Sequence, residues 1–421
     1  MPLGFEDPVV VTGLGVTTAF GNLDQSWNHL LAGDSALIMS QPFPELPPYP
    51  LAMIGKKPAD LHELVINATQ SALDDAQLWD AAGDINGAKN SGTPLKMGLV
   101  VGSSRGFQGR LEQECDRLSL QRLAQGSWSD DVDLSPWFYQ ALPQEVAIAV
   151  ARHFRIQGPL SAPMAACATG LWSMMQGLLM LRANQCDQVL VIAADAPITP
   201  LCLSGFSRLG AIAKDGMYPF DIHRQGLSLG EGGAAFVLET QRHALERGAS
   251  MYGKILGLGL TADGTHVTAP DETLTGVDRA IARCIDGDSS NNPNIPNPNA
   301  QKLKAAIAYV HAHGTGTRRN DKQEASIIQR WFSKGVAVSS TKGATGHTLG
   351  ASGALGIAWS LLALKNQALP PCTGLQRPAF DLDFVLPSNT QIRGKSLDAV
   401  LCLAFGFGGQ NGAIALGQPD F

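Results

Sequence analysis

The chain has 421 residues, 44% hydrophobic and 16% charged, with 46 glycines; this is the composition of a well-buried, turn-rich globular protein and excludes a disordered one. A net charge of -6, with no basic run interleaved with aromatics, argues against a nucleic-acid groove. The seven cysteines, at 115, 167, 186, 202, 284, 372 and 402, are odd in number and form neither CxxC pairs nor a disulfide framework, which points to reduced thiols and away from zinc.

The N-terminal "MPLGFEDPVVVTGLG" carries acids where a signal peptide needs positive charge, so a cytoplasmic protein is expected. Its apolar run at 8–15 predicts a first strand, and helical periodicity follows at 59–79. Further β-branched runs lie at 97–104, 188–195, 234–239, 305–312, 336–341 and 399–409. They alternate with helical stretches at 142–155, 168–184, 273–285, 320–334 and 350–366. The segment 286–302, rich in Asn, Pro, Ser and Asp, reads as a solvent loop. The longest apolar run, 353–364, is too short for a membrane span.

Strand alternating with helix predicts an α/β protein with buried sheets. Two strand-to-glycine endings look alike, "VVVTGLGVTTAFGN" and "VLCLAFGFGGQNGA", and each half has a Gly-rich turn opening a long apolar helix. An internal duplication is therefore expected, with halves at 1–253 and 254–421.

Four loops carry functional groups among small neighbours. In "SAPMAACATGLWSMMQGLLML", Cys167 opens a helix. One reading makes it a small hydrophobe beside alanines; the other makes it a nucleophile whose thiol pKa the helix start lowers. His313 follows a buried strand in "AYVHAHGTGTRRND", and Lys342 and His347 share "STKGATGHTLGASG". Phe405 alternates with glycines after the last strand. Ligand sites of α/β proteins gather at strand carboxyl ends, so the four loops read jointly as a thiol nucleophile with two histidines.

These ordered motifs, with "PFDIHRQGLSLGEGGA" at 219–234, resemble the β-ketoacyl-[acyl carrier protein] synthases of the thiolase superfamily over essentially the whole chain. The resemblance implies a five-layered αβαβα fold and a homodimer. It also implies decarboxylative condensation of an acyl group with a malonyl thioester, both delivered on acyl carrier protein, elongating fatty acyl chains by two carbons. Cys167 would be the nucleophile, with its own amide and that of Phe405 as oxyanion hole. His313 and His347 would stabilise the malonyl enolate, and Lys342 would pair with Glu324. Thr315, Thr317 and Thr268 would line the phosphopantetheine tunnel, and Phe405 would gate it. No metal or organic cofactor is required. Basic residues such as Arg208, Lys214, Arg318 and Arg319 are candidates for meeting an acidic carrier.

Several positions depart from the family pattern: His311 for Asn, Gln410 for Thr or Ser, and Gly343 for Ser. Arg105 stands where an apolar or tiny residue is usual near the acyl pocket, and must find an anion, turn to solvent or shorten the pocket. The alternatives are a polyketide or specialised ketosynthase and a non-catalytic chain-length-factor-like subunit. A degradative thiolase would need a second catalytic Cys, whereas Cys402 sits on the strand itself.

Overall fold

The computed structural model describes residues 7–79, 95–125, 142, 144–287, 298–332, 335–392 and 396–421. The aliphatic runs form strands β1 (Val9–Thr18), β2 (Gly98–Gly102), β3 (Leu160–Ser161), β4 (Gln188–Asp195), β5 (Gly232–Thr240), β6 (Gly253–Ala262), β7 (Ile307–His311), β8 (Ala337–Ser339), β9 (Asp383–Phe384), β10 (Ala399–Gly406) and β11 (Gln410–Gly417). The periodic stretches form α1 (Leu61–Asp75), α2 (Gln144–His153), α3 (Thr169–Arg182), α4 (Pro200–Arg208), α5 (Thr275–Asp286), α6 (Arg318–Trp331) and α7 (Ser352–Asn366).

The strands are ordered β9-β8-β7-β10-β11-β6-β1-β5-β4-β2-β3. Within this order the same block occurs twice. In β1-β5-β4-β2-β3 and in β6-β11-β10-β7-β8, the first two pairings are antiparallel and the next two parallel. The blocks meet where β1 runs antiparallel to β6 at Val10↔Lys254 and Val11↔Gly253. The topological repeat thus changes over between Thr240 and Gly253.

Helices fill the layers between and outside the blocks. Helix α3 lies on β2 and β4, α7 lies on β10 and β11, and the two helices pack on each other. Glycine makes that contact possible, because a Cβ at Gly170 would lie 2.3 Å from the amide nitrogen of Ala354. Helix α7 is buried continuously from Ser352 to Leu364, as befits a helix apolar on all sides. With α1 and α2 outside the first block and α5 outside the second, the layering is αβαβα.

Several elements were not anticipated, among them β6, β11, α4, a helix over Leu23–Ala32 and a helix over Gln108–Gln125. In β6, leucines alternate with Gly257 and Gly259, which dilutes the β-branched signal. Those glycines are where α5 presses on the sheet; a Cβ there would lie 1.9 Å from the Cys284 carbonyl oxygen and 2.0 Å from that of Ala280. The expected loop at 286–302 is corrected at its end, where Pro298–Ala306 is helical, with proline suited to the first turn. Residues 288–297 of that expectation lie outside the described residues.

Candidate active site

Cys167 stands two residues ahead of α3, directly after Ala166, whose φ of 46° is a left-handed conformation rare for a residue with a Cβ. Thr169 holds this tight turn: its hydroxyl accepts from the Ala165 amide at 2.9 Å and donates to the Ala166 carbonyl at 2.6 Å. Gly406 at the end of β10 backs it, since a Cβ there would lie 2.7 Å from the Ala165 oxygen and 3.0 Å from the Cys167 nitrogen.

The thiol is buried, and burial pushes its pKa up to about 11. Lys342 and Arg105 pull it down, while Asp195 adds to the rise. The expectation of a lowered thiol pKa is therefore corrected: desolvation outweighs the positive charge around the helix start, and the resting group is a thiol.

His313 is set by two acids on the first turns of α6. Glu324 accepts from the amides of His313 (2.5 Å) and Gly314 (2.7 Å) and from Asn320 Nδ2 (3.2 Å). Asp321 accepts from the amides of Gly316 (3.1 Å) and Phe220 (2.8 Å). Lys342 lies behind the ring; its Nζ donates to the His313 carbonyl and is 3.4 Å from Nδ1. The expected Lys342–Glu324 ion pair is corrected. The Glu324 oxygens are taken by backbone amides, and lysine and glutamate act on each other through space with the histidine loop between them.

His347 is fixed by its backbone, which donates to Ser228 O (2.7 Å) and accepts from Gly230 N (3.1 Å), and by its Nδ1, 2.8 Å from Ser352 Oγ. The His313 and His347 rings meet edge to face at 5.5 Å, and Phe405 meets His313 likewise at 5.6 Å. Burial, with the Lys342 cation adding to it, holds both imidazoles well below their ordinary pKa. Both are neutral. An ammonium beside His313 Nδ1 leaves that ring's proton on Nε2, and the tautomer of His347 that accepts from Ser352 Oγ at Nδ1 carries its proton on Nε2 as well.

A cavity of 220 Å³ joins these groups: Cys167, His313, His347, Phe405, Glu324, Thr315, Thr317 and Thr268 all line it. The Thr315 and Thr317 hydroxyls are 2.9 Å apart. Of the nine residues proposed for catalysis and the tunnel, Lys342 alone does not reach this cavity wall. A wider opening adjoins it, sharing Thr268, Thr317 and Phe407 and lined by Lys214, Arg318 and Arg319; Arg208 is not part of it.

Two of the departures find local reasons. A Cβ at Gly343 would lie 1.9 Å from the Thr373 carbonyl oxygen, so serine does not fit there. His311 Nε2 is 3.3 Å from Thr341 Oγ1, and its ring packs where Gly356 leaves room. Arg105 is exposed, and among the described residues it forms no ion pair. Cys402 is fully buried in β10. Sequence reasoning missed Asp321 and Asp195; the only signal for either was an acid at a helix start or a strand end.

The family model described as beta-ketoacyl synthase, N-terminal domain, matches residues 56–244, and the corresponding C-terminal domain matches 252–376. The chain is 31% identical to a protein of Coxiella burnetii named 3-oxoacyl-[acyl-carrier-protein] synthase 2, over 97% of this chain and 98% of that one. It is 30% identical to the tetracenomycin polyketide synthase ketoacyl synthase alpha subunit of Streptomyces glaucescens, over 98% of each. The solved structure of a beta-ketoacyl synthase from Burkholderia phymatum superimposes with a TM-score of 0.79 at 27% identity, covering 98% of this chain and 99% of that one. Two domain models in the order of the topological repeat, and a relative alike from end to end, place the chain in the β-ketoacyl synthase family of the thiolase superfamily, as an acyl-transferring condensing enzyme.

Proposed function

We propose that the chain takes an acyl group from the phosphopantetheine of acyl carrier protein onto Cys167 and condenses it with malonyl carrier protein, lengthening a fatty acyl chain by two carbons. The observation that carries this reading is a buried thiol on one cavity wall with two neutral imidazoles. In the first step sulfur attacks the acyl thioester, the carbonyl charge falls to the amides of Cys167 and Phe405, and the thiol proton leaves on the departing pantetheine thiol. In the second, the malonyl thioester loses carbon dioxide. The enolate oxygen accepts from Nε2–H of His313 and His347, and the enolate carbon attacks the acyl-cysteine carbonyl, expelling Cys167 as a thiolate that takes a proton from solvent and leaving a β-ketoacyl thioester. Neutral donors suit this step because imidazolium would protonate the enolate.

Thr315, Thr317 and Thr268 hold the pantetheine arm and Phe405 gates the cavity. Lys342, in contact with His313, and Glu324, under its loop, are positioning groups. No bond change in this sequence calls for a metal or organic cofactor. Lys214 and Arg318 at the outer opening suit an acidic carrier. We read the chain as a cytoplasmic homodimer; no helix among the described residues is long and apolar enough to cross a membrane, and β3 leaves an open sheet edge bearing the exposed Leu160. The Streptomyces glaucescens relative supports polyketide extension as a second reading.

Intact-mass analysis after mixing the protein with acyl carrier proteins of several chain lengths tests the main reading. One acyl adduct is expected, absent from Cys167→Ala and discharged by malonyl carrier protein as a β-keto product. No adduct at any chain length would overturn it.

A further inference from the structure

Asp195 ends β4 fully buried, yet its carboxylate accepts hydrogen bonds from two distant parts of the chain. The loop after β2 supplies Ser103 Oγ (2.5 Å), Ser104 Oγ (2.5 Å), the Ser104 amide (3.0 Å) and the Arg105 amide (3.3 Å). The other half supplies the Gly350 amide at 2.7 Å. Gly350 lies in the turn Leu349–Ala351 that links His347 to Ser352, and Leu349 is left-handed at φ 45°. A Cβ at position 350 would lie 2.7 Å from Asp195 Oδ2 and 2.9 Å from the Ser104 nitrogen, so the approach is closed to any other residue. Leu349 packs in the same buried cluster as Cys167.

We propose that Asp195 is a positioning residue for His347: a carboxylate of the first half grips the turn that aims the histidine of the second half over Cys167. The assignment rests on His347 serving the decarboxylation described above. Pinning the Gly350 amide holds Leu349 in its left-handed state. That places Ser352, whose hydroxyl is hydrogen-bonded to the His347 ring, at the start of α7. The carboxylate also acts on the thiol through its charge, raising its pKa where Lys342 and Arg105 lower it.

Two variants separate grip from charge. Asp195→Asn removes the charge and replaces one of the two acceptor oxygens that make the grip by a donor, whereas Gly350→Ala strains the grip and keeps the charge. Each is compared with the wild-type protein for acyl transfer to Cys167, for decarboxylation of malonyl carrier protein, for the pH midpoint of Cys167 alkylation by iodoacetamide, and for the His347 signals in a ¹⁵N-histidine spectrum. Both variants are expected to lose about 100-fold in decarboxylation kcat with KM within about threefold, and to shift the His347 signals. Only Asp195→Asn lowers the alkylation midpoint. Unchanged His347 signals in both, or equal losses in acyl transfer and decarboxylation, would overturn the proposal. If the wild-type protein forms no acyl adduct, the condensing reading fails instead, and the alkylation and spectral arms still judge the grip. Should one variant not fold, the other carries the spectral test.

Discussion

At the scale of single residues the site is a contest between burial and charge. Cys167 pays for its seclusion with a thiol pushed up to about 11, and the Lys342 cation is the largest influence opposing that rise. Replacing Lys342 by Met removes the cation and leaves desolvation unopposed by it. The Cys167 alkylation midpoint is then expected to rise, by about one pH unit as an order of magnitude. In the wild-type protein at pH 8, iodoacetamide should label the exposed Cys115 well before Cys167, whose rate should keep climbing towards pH 11. Peptide mapping of both sites across pH measures this. A Lys342→Met protein whose midpoint falls would mean that the lysine does not act on the thiol as a charge. The proposed nucleophile was legible as a Cys opening a helix, but the direction of its pKa was not. Helix position is written in local sequence, whereas desolvation comes from the distant chain that closes over it.

At the scale of elements, legibility followed composition. The runs that became β4, β5 and β10, and the periodic stretch that became α7, carry their pattern in their own residues. Strand β6 does not, because its glycines answer to α5 and not to the strand. That origin makes a stability prediction. Gly257→Ala would set a methyl 1.9 Å from the Cys284 carbonyl, so α5 must lift or the strand must bend, although alanine on its own favours a strand over glycine. Overpacking of this kind costs about 1–3 kcal/mol, and occasionally more. Chemical denaturation of Gly257→Ala should show a loss in that range, whereas Gly248→Ala, with open space around position 248 but φ +70°, tests backbone strain alone. Equal stability of Gly257→Ala and the wild-type protein would mean that α5 does not press on β6 as described. The lysine contact belongs to this scale too: residues 313, 324 and 342 lie on three elements, and the sequence held no record of which two would touch.

At the scale of the whole molecule, the duplicated topology explains why the site is built from both halves. The turn bearing Cys167, the proposed nucleophile, comes from the first half, both histidines come from the second, and residues of both halves line the cavity. Four strand-end motifs were enough to read this arrangement, because chemistry-bearing residues keep their own short signatures. The Asp195 link across the halves has no signature and emerges only from tertiary structure. The same division shapes delivery of substrate. The chain carries -6 overall, so an acidic carrier would be repelled at long range and must be captured locally. Lys214 and Arg318 stand exposed at the outer opening, while Arg319 beside them is already bonded to Glu272 at 2.7 Å. The double variant Lys214→Glu/Arg318→Glu should therefore slow acylation by carrier-bound substrate about tenfold at low salt, mainly through KM. The deficit should shrink as salt screens the charges over about 10 Å at 0.1 M. Acylation by a small pantetheine thioester, which carries no acidic surface, should be unchanged in the same protein. If both substrates slow alike, the two residues shape the cavity and do not dock a carrier; if neither slows, the carrier approaches by another face.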